Sequence, residues 1–268
     1  MVADGDSIAS PGLPARRVVL LGASNLTRGI ATVVDACHRQ WGRPLDCLAA
    51  LGHGRSYGTR STVLGRTLPS IQNSRLWSAL DERPAAPTAA LVTDIGNDLM
   101  YEAPVDKIVE WVTACLDQLA RHEARIVMTR LPVANIDQVP EWKFRFLRRL
   151  MFPLGRLPYA TIAARAHELD QRLSELAARR GIAQIEQNTA WYGWDPIHFR
   201  YSAWPEVWHR ILSGWNETEC EQAAGNPPVS RLLYLRSRTP DQRWLFGIEQ
   251  RGPQPCARLS EGTTLSYY

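Results

Sequence analysis

Short apolar runs alternate with longer amphipathic segments along most of the chain. The short runs are typical of buried strands, and the segments between them repeat apolar positions every three or four residues, as helices do. The predicted strands are 18–21, 45–51, 89–95, 125–128 and 182–185. Strands that alternate with helices in this way indicate a parallel sheet covered on both faces, which is a three-layer α/β/α domain.

The first predicted strand ends in a turn that presents a serine. The apolar residues 18–21 run into Gly22, and the apolar positions after Ser24 have helical spacing. We expect Asn25 to cap this helix. A serine at such a junction lies beside unpaired backbone N–H groups and the positive end of the helix dipole, where an anion is stabilised. The junction therefore suits oxyanion chemistry.

Three further stretches with candidate chemistry also follow predicted strands. The loop 52–58 holds three glycines, which suits close backbone approach to a ligand, and Gly-Asn-Asp at 96–98 follows the third strand. After the fifth strand, Asp195 precedes His198 by three residues, so that its carboxylate can reach one ring nitrogen and make the histidine a better base. Ligand sites of parallel sheets lie at the carboxyl ends of the strands. We therefore expect these stretches to converge with Ser24.

Together, the four stretches resemble the sequence blocks of the SGNH hydrolases, the superfamily also called GDSL esterases and lipases. The blocks are G-A-S-N at 22–25, the glycine loop at 52–58, G-N-D at 96–98 and D-P-I-H at 195–198, in the family's order. The resemblance implies a flavodoxin-like, five-stranded parallel sheet and an esterase that uses no cofactor and no metal. Its substrate would be an acyl or acetyl ester of a small molecule, lipid or sugar.

The resemblance also implies the roles of individual residues. Ser24 would be the nucleophile, His198 the general base and then acid, and Asp195 the carboxylate that orients the histidine. The oxyanion hole would consist of the Ser24 N–H, an N–H of the glycine loop and the Asn97 side chain. Such donors stabilise the charge that develops on a tetrahedral intermediate, at about 3 kcal/mol each.

Two features of the sequence leave alternatives open. Gly54 is preferred to Gly52 as the loop donor, but the residues do not decide between them. Ala23 stands where the family name has an aspartate, so support for the serine turn has to come from another residue, with Asp94 or Asp98 as candidates.

The residues that contact the substrate are the least defined part of the sequence. Asn25, Trp191 and Trp194 are candidates, and we expect at least one of Trp191, Tyr192 and Trp194 to line an acyl or sugar subsite. The basic and aromatic stretch 141–152 is interpreted as an amphipathic helix packed on the domain, with a mobile lid or a surface for transient lipid contact as alternatives.

Composition excludes several classes of partner. The 268-residue chain carries a net charge of +4 without a long basic block, which argues against nucleic acid. It contains no apolar run of the roughly 18 residues that an integral membrane segment needs. The five cysteines show no close pairing, and Cys37, Cys47 and Cys115 lie in apolar patterns. Free buried thiols in a reducing compartment, and hence a cytoplasmic protein, are expected.

Three regions are predicted along the chain. Residues 1–14 would form a flexible N-terminal tail without the features of a secretory signal, and residues 15–215 the hydrolase domain. Residues 216–268 would form an extension with strands at 231–236 and 243–249. Because an isolated hairpin is marginally stable, this extension would pack on the main domain or on a second copy in a homo-oligomer.

Three other functions use parts of the same residue set. An O-acyltransferase would use the same triad and pass the acyl group to an alcohol. A non-catalytic binding module could share the fold, but it has no need for the triad residues together with Asn97. A metal-dependent phosphoesterase is disfavoured, because His53, Asp94, Asp98 and His198 lack a recognisable ligand spacing.

Overall fold

The computed structural model describes residues 16–143, 145, 149, 155–216 and 225–268, so the predicted tail 1–14 lies outside the described residues. The strands are β1 Arg17–Leu21, β2 Asp46–Ala50, β3 Ser61–Val63, β4 Arg66–Leu68, β5 Thr88–Val92, β6 Arg125–Thr129, β7 Ala183–Ile185, β8 Gln242–Leu245, β9 Ile248–Arg251, β10 Ala257–Arg258 and β11 Thr264–Tyr267. The helices are α1 Ser24–Trp41, α2 Leu76–Asp81, α3 Asn97–Met100, α4 Val105–Arg121, α5 Val133–Asp137, α6 Tyr159–Arg179, α7 Trp204–Leu212 and α8 Val229–Arg236.

Five parallel strands in the order β2-β1-β5-β6-β7 belong to a seven-stranded sheet, with β7 at one edge. This is the flavodoxin-like order, and the predicted three-layer α/β/α architecture is confirmed. Strands β11 and β10 continue the sheet beyond β2, so it has two strands more than the five predicted. Every residue of β1, β2 and β5 is buried, because helices cover both faces of the sheet. The site residues that follow these strands therefore start from rigid positions.

The two faces of the sheet pack against two separate hydrophobic cores. Val18 and Leu20 point to one face, and Val19 and Leu21 to the other, as the alternation of side chains along a strand requires. Helices α1, α7 and α8 contribute to the first core, and α4 and α6 to the second. Aromatic and apolar residues after 202 are buried in the first core: Trp204, Trp208, Ile211 and Trp215.

The C-terminal part of the chain joins the main sheet. Strand β11 pairs in parallel with β2, and β10 pairs antiparallel with β11. The single strand predicted at 243–249 is instead two strands, because a turn at Phe246 and Gly247 divides it into the hairpin of β8 and β9. Strand β8 also pairs with β4 in an antiparallel sheet of β3, β4, β8 and β9. The strand predicted at 231–236 is wrong, because this segment belongs to α8. Its buried residues Leu232 and Leu235 are three positions apart, which is helical spacing, and they pack in the core with α1.

The cysteines that the structure describes are free, and the three in apolar sequence patterns are buried as predicted. Cys37, Cys47 and Cys115 are buried and free, and Cys256 is free and partly buried. Burial raises the pKa of the Cys115 thiol to about 12, so it stays protonated at neutral pH. No described helix combines the length and the hydrophobicity that a bilayer-spanning segment needs.

His38 connects α1 to the segment before β11. Its Nε2 lies 2.8 Å from Thr263 Oγ1, and that hydroxyl also accepts a hydrogen bond of 3.1 Å from the Leu45 N–H. Burial lowers the pKa of His38 to about 4, although the nearby Glu261 carboxylate acts in the opposite direction. The imidazole is therefore neutral in the folded protein at neutral pH.

His38 is expected to make the fold sensitive to acid. Between about pH 6.5 and pH 4 the unfolded chain binds a proton at this residue and the folded chain does not, so the free energy of unfolding should fall by up to about 3 kcal/mol as pH drops through that range. Urea unfolding across the range, compared with His38→Gln, measures this. Glutamine can still bond Thr263 but does not titrate, so the variant should lose stability less steeply. His167→Gln, at an exposed histidine, should keep the wild-type slope, and an unchanged slope in His38→Gln would contradict the assignment.

Candidate active site

Ser24 is the first residue of α1 and directly follows the turn after β1. Asp94, two residues beyond β5, supports this turn from the neighbouring strand. Its Oδ2 accepts hydrogen bonds from the backbone N–H groups of Ala23 at 2.9 Å, Asn25 at 3.0 Å and Leu26 at 3.3 Å. The first N–H groups of a helix have no partner within the helix, and a carboxylate at this end also favours the helix dipole. Of the two candidates for supporting the serine turn, Asp94 is the one in place.

Asn25 joins the serine turn to the histidine loop. Its Nδ2 donates to Asp94 Oδ1 at 2.9 Å and to the carbonyl oxygen of Ile197 at 3.0 Å, while its Oδ1 accepts from the Phe199 N–H at 3.0 Å. Ile197 and Phe199 are the two neighbours of His198, so the Asn25 amide fixes the loop on both sides of the histidine. Two expectations change accordingly. The side chain does not cap α1, and its donors are engaged within the protein rather than offered to a substrate.

Asp195 and His198 form the predicted pair. The His198 Nδ1 lies 2.6 Å from Asp195 Oδ2, and the other carboxylate oxygen accepts from the Ile197 N–H at 3.1 Å. Partial burial acts to raise the pKa of Asp195, but the hydrogen bond and the charge of His198 outweigh it and hold this pKa below its ordinary value. An ionised carboxylate at Nδ1 favours the tautomer with a proton on Nδ1, which leaves Nε2 as the basic nitrogen. No hydrogen bond joins Ser24 Oγ to His198 in this structure.

Two unused donors lie at the wall of one cavity. Asn97 is the first residue of α3, and its buried Nδ2 has no hydrogen-bond partner among the described residues. The N–H of Ser24 likewise donates to no group in the described part of the chain, although its neighbours on both sides donate to Asp94. Ser24 and Asn97 both line the cavity. Since buried donors are almost always satisfied, two free ones at a cavity wall indicate a site for an acceptor.

The glycine loop is held by the aspartate of the G-N-D sequence. Asp98 is buried and accepts the Ser56 hydroxyl and, at 3.0 Å, the Tyr57 N–H. Burial raises the pKa of Asp98 to about 6, although these hydrogen bonds oppose the shift. Gly54 has a φ of +63°, which is the left-handed region that favours glycine, and its carbonyl accepts from the Tyr101 hydroxyl at 2.7 Å. Gly54 remains our prediction for the loop donor.

The cavity beside Ser24 is mostly apolar and has a volume of about 140 Å³. Its walls come from α3, the segment between β6 and α6, α6 itself and the histidine loop. The apolar side chains that line it include Leu99, Met100, Leu131, Ile136, Val139 and Ile162. A pocket with apolar walls that opens next to a serine and two unpartnered donors suits the apolar part of a ligand.

Of the three aromatic residues proposed for a subsite, Tyr192 is the one that lines the cavity. Trp191 is buried away from it, and its Nε1 donates to Glu206 Oε1 at 3.1 Å. Trp194 is 68% exposed and does not line the cavity either. The expectation that Trp191 and Trp194 contact substrate in this pocket is therefore corrected. No pattern in the sequence distinguishes Tyr192 from the two tryptophans, because the three residues lie within four positions of each other and show no periodicity.

Most of the segment 141–152 lies outside the described residues, so its interpretation as a packed helix, a lid or a lipid-contacting surface remains a prediction. At its start, Lys143 Nζ donates to the carbonyl oxygen of Trp194 and lies 4.3 Å from the centre of the indole ring. This contact links Lys143 to the loop that carries Asp195 and His198. Within the described ranges, no group of three or more histidine, cysteine, aspartate or glutamate side chains is placed to hold a metal ion.

Comparison with known proteins gives structural matches alone. No family model and no curated protein sequence matches this chain. Several solved structures resemble it, among them esterases, a GDSL-like lipase and an acylhydrolase. One is the psychrotrophic esterase EstA from Pseudoalteromonas sp., at 12% identity and a TM-score of 0.46, covering 74% of this chain and 95% of that one.

Two further structures resemble the chain to a similar degree. A member of the lipolytic protein G-D-S-L family from Veillonella parvula has 12% identity and a TM-score of 0.47, with 75% of this chain and 96% of that one covered. The aryl esterase of M. Smegmatis has 15% identity and a TM-score of 0.48, with 73% and 94% covered. Because these identities are low, we base the function on the residues of this chain.

Proposed function

We propose that this protein is a serine ester hydrolase of the SGNH type that cleaves a carboxylic ester through an acyl-enzyme on Ser24. One observation carries the proposal. The Asp195–His198 pair is tied by Asn25 to the turn of a serine whose cavity also holds the unpartnered Asn97 amide. A serine, an oriented histidine and a free donor are the three parts that acyl transfer needs.

The reaction follows from the placement of these groups. His198 Nε2 takes the proton of Ser24 Oγ as that oxygen attacks the carbonyl carbon of the ester, and Asp195 stabilises the imidazolium through Nδ1. The oxyanion accepts hydrogen bonds from the Ser24 N–H and Asn97 Nδ2. The imidazolium then gives its proton to the leaving alcohol oxygen as the carbon–oxygen bond breaks. Water attacks the acyl-enzyme by the same steps and restores Ser24. The hydrogen bond between Ser24 and His198 forms when substrate closes the site, as is common for catalytic contacts.

The apolar cavity receives the acyl group. Its volume of about 140 Å³ is close to that of protein cavities of about 150 Å³ that bind benzene, so a short or medium acyl chain or a benzoyl group fits. A long, straight acyl chain would have to extend beyond the enclosed space. Esters with acyl groups of rising length are therefore expected to show a maximum of kcat/KM at short to medium length.

A fluorophosphonate probe tests the proposed nucleophile. Such probes phosphonylate an activated serine, so mass spectrometry should find the modification on the peptide that contains Ser24. Labelling should be absent in Ser24→Ala and strongly slowed in His198→Ala. The variant Ser78→Ala, at a surface serine of α2, should label like the wild type. Labelling that persists in Ser24→Ala, or its absence from the folded wild-type protein, would refute an enzyme with Ser24 as nucleophile.

A further inference from the structure

Three arginines that do not line the cavity lie near the Asp195–His198 pair. They are Arg28 of α1, Arg66 of β4 and Arg236 of α8, and we call them the cationic cluster. The Arg236 guanidinium donates to the carbonyl oxygen of Arg28, and Arg28 Nη1 is 3.8 Å from Asp195 Oδ2. All three arginines act electrostatically on His53 of the glycine loop. None of the three lines the apolar cavity.

The cationic cluster has too few negative partners. Within the described residues, its ion pairs are limited to the long contact between Arg28 and Asp195, and that carboxylate is already bonded to His198. The Nε of Arg66 is buried and has no hydrogen-bond partner in the described part of the chain. Burial, followed by the charge of Arg243, lowers the pKa of Arg66. Arg66 is half-buried, whereas the other two arginines of the cluster are partly open to solvent. Three guanidinium groups with a single long carboxylate contact among the residues that the structure describes give this region a positive potential, which attracts an anion.

His53 adds a neutral hydrogen-bonding group within electrostatic range of the cationic cluster. Desolvation lowers its pKa to about 4, with further contributions from Arg66, His198, Arg28 and Arg236. The imidazole is therefore uncharged at neutral pH and can donate one hydrogen bond. Arg28 places the cluster next to the histidine that handles the proton, because it is 3.8 Å from the carboxylate oxygen that His198 also contacts.

The position of the cluster relative to the sheet indicates which portion of an ester would lie beside it. The cavity is built from segments that follow β5, β6 and β7, whereas His53 follows β2 and Arg66 lies on β4. Ser24 follows β1, between these two sides. If the acyl group occupies the cavity, the leaving alcohol lies toward His198, which must protonate its oxygen, and thus toward the cationic cluster.

We propose that the cationic cluster binds an anionic group, a carboxylate or a phosphate, on the alcohol portion of the ester. This assignment rests on the proposed function, because the acyl and alcohol portions of the ester are defined by the attack of Ser24 and the protonation by His198. It gives the C-terminal part of the chain a role in the site, since α8 supplies Arg236. Guanidinium groups bind both anions through charge-assisted hydrogen bonds, and the two anions are separated by experiment.

Binding of the free alcohols tests the proposal without requiring turnover. The ligands are 4-hydroxybenzoate, 4-hydroxyphenyl phosphate and the neutral 4-hydroxybenzamide, titrated by calorimetry at low salt. At least one of the two anions is expected to bind the wild-type protein about tenfold more tightly than the amide, and the tighter one identifies the natural anion. The preference should shrink as salt is added. In both Arg66→Gln and Arg236→Gln, the ratio of the affinity for the anion to the affinity for the amide should fall close to one.

Arg121→Gln is the matched control, because Arg121 is an exposed arginine paired with Asp81 at the end of α4. It should keep the wild-type preference. Equal binding of the amide and both anions overturns the proposal, as does a preference that survives in both cluster variants. Hydrolysis of the butyrate esters of the same alcohols then tests the proposed function separately from the anion site. Anion binding through the cluster without hydrolysis of any ester would refute the proposed function and leave the anion site standing.

Discussion

Replacement of Asp195 by asparagine is expected to lower kcat by on the order of 10⁴-fold. The asparagine oxygen can still accept the hydrogen bond from the Ile197 N–H, so the loop keeps its shape. Its NH₂ group, however, would face His198 Nδ1 in place of a carboxylate oxygen. A donor at this position requires a lone pair on Nδ1, which moves the proton to Nε2 and removes the base that Ser24 needs. Steady-state hydrolysis of an aryl butyrate measures the loss.

The chain offers a matched control for this change. Asp81 makes the same type of contact with His122, at 2.9 Å, but at the end of α4 away from the site. Asp81→Asn is expected to keep wild-type kcat. If Asp195→Asn retained activity within about tenfold of the wild type, the pair would not be the one that drives catalysis.

Removal of the Asn97 amide is expected to lower kcat by roughly 10²- to 10³-fold, with a much smaller change in KM. The reason is that Nδ2 has no partner in the described residues and would form its hydrogen bond to the oxyanion, a species that exists only along the reaction path. Asn97→Ala tests this by steady-state kinetics. Asn97→Asp, which keeps the shape but replaces the donor with a negative oxygen, should lose at least as much.

Asn135→Ala is the control for the amide. Asn135 is also buried with an unpartnered Nδ2, but it does not line the cavity. It should keep wild-type kcat even if stability changes. A rise in KM with unchanged kcat for Asn97→Ala would assign this side chain to ground-state binding instead of the oxyanion hole.

Local patterns were sufficient for five parallel strands of the main sheet and for the contact between Asp195 and His198. Parallel strands covered by helices are largely apolar runs, so β1, β2, β5, β6 and β7 could be found without tertiary information. Asp195 and His198 are three residues apart in one loop, and a contact over that distance depends mainly on the local backbone. Local patterns were not sufficient for the segment 229–236, because a short stretch with three leucines fits a strand as well as a helix.

The support of Ser24 was decided by strand register. Leu21 pairs with Val92, so the residues just beyond both strands lie side by side, and Asp94 reaches the N–H groups of the serine turn. Asp98, four residues further on, reaches the glycine loop instead. Both carboxylates follow the same strand in sequence, so only their positions beyond the strand end separate the two roles.

The sequence by itself determined the strands β1, β2, β5, β6 and β7, their order along the chain and the contact between Asp195 and His198, because these follow from apolar runs and a short spacing. Tertiary structure alone decided which residues distant in sequence act on one another. Asn25 has partners 69 and 174 residues away, and the cationic cluster draws on α1, β4 and α8. Contacts of this kind depend on how the strands and helices pack, and no local pattern encodes them.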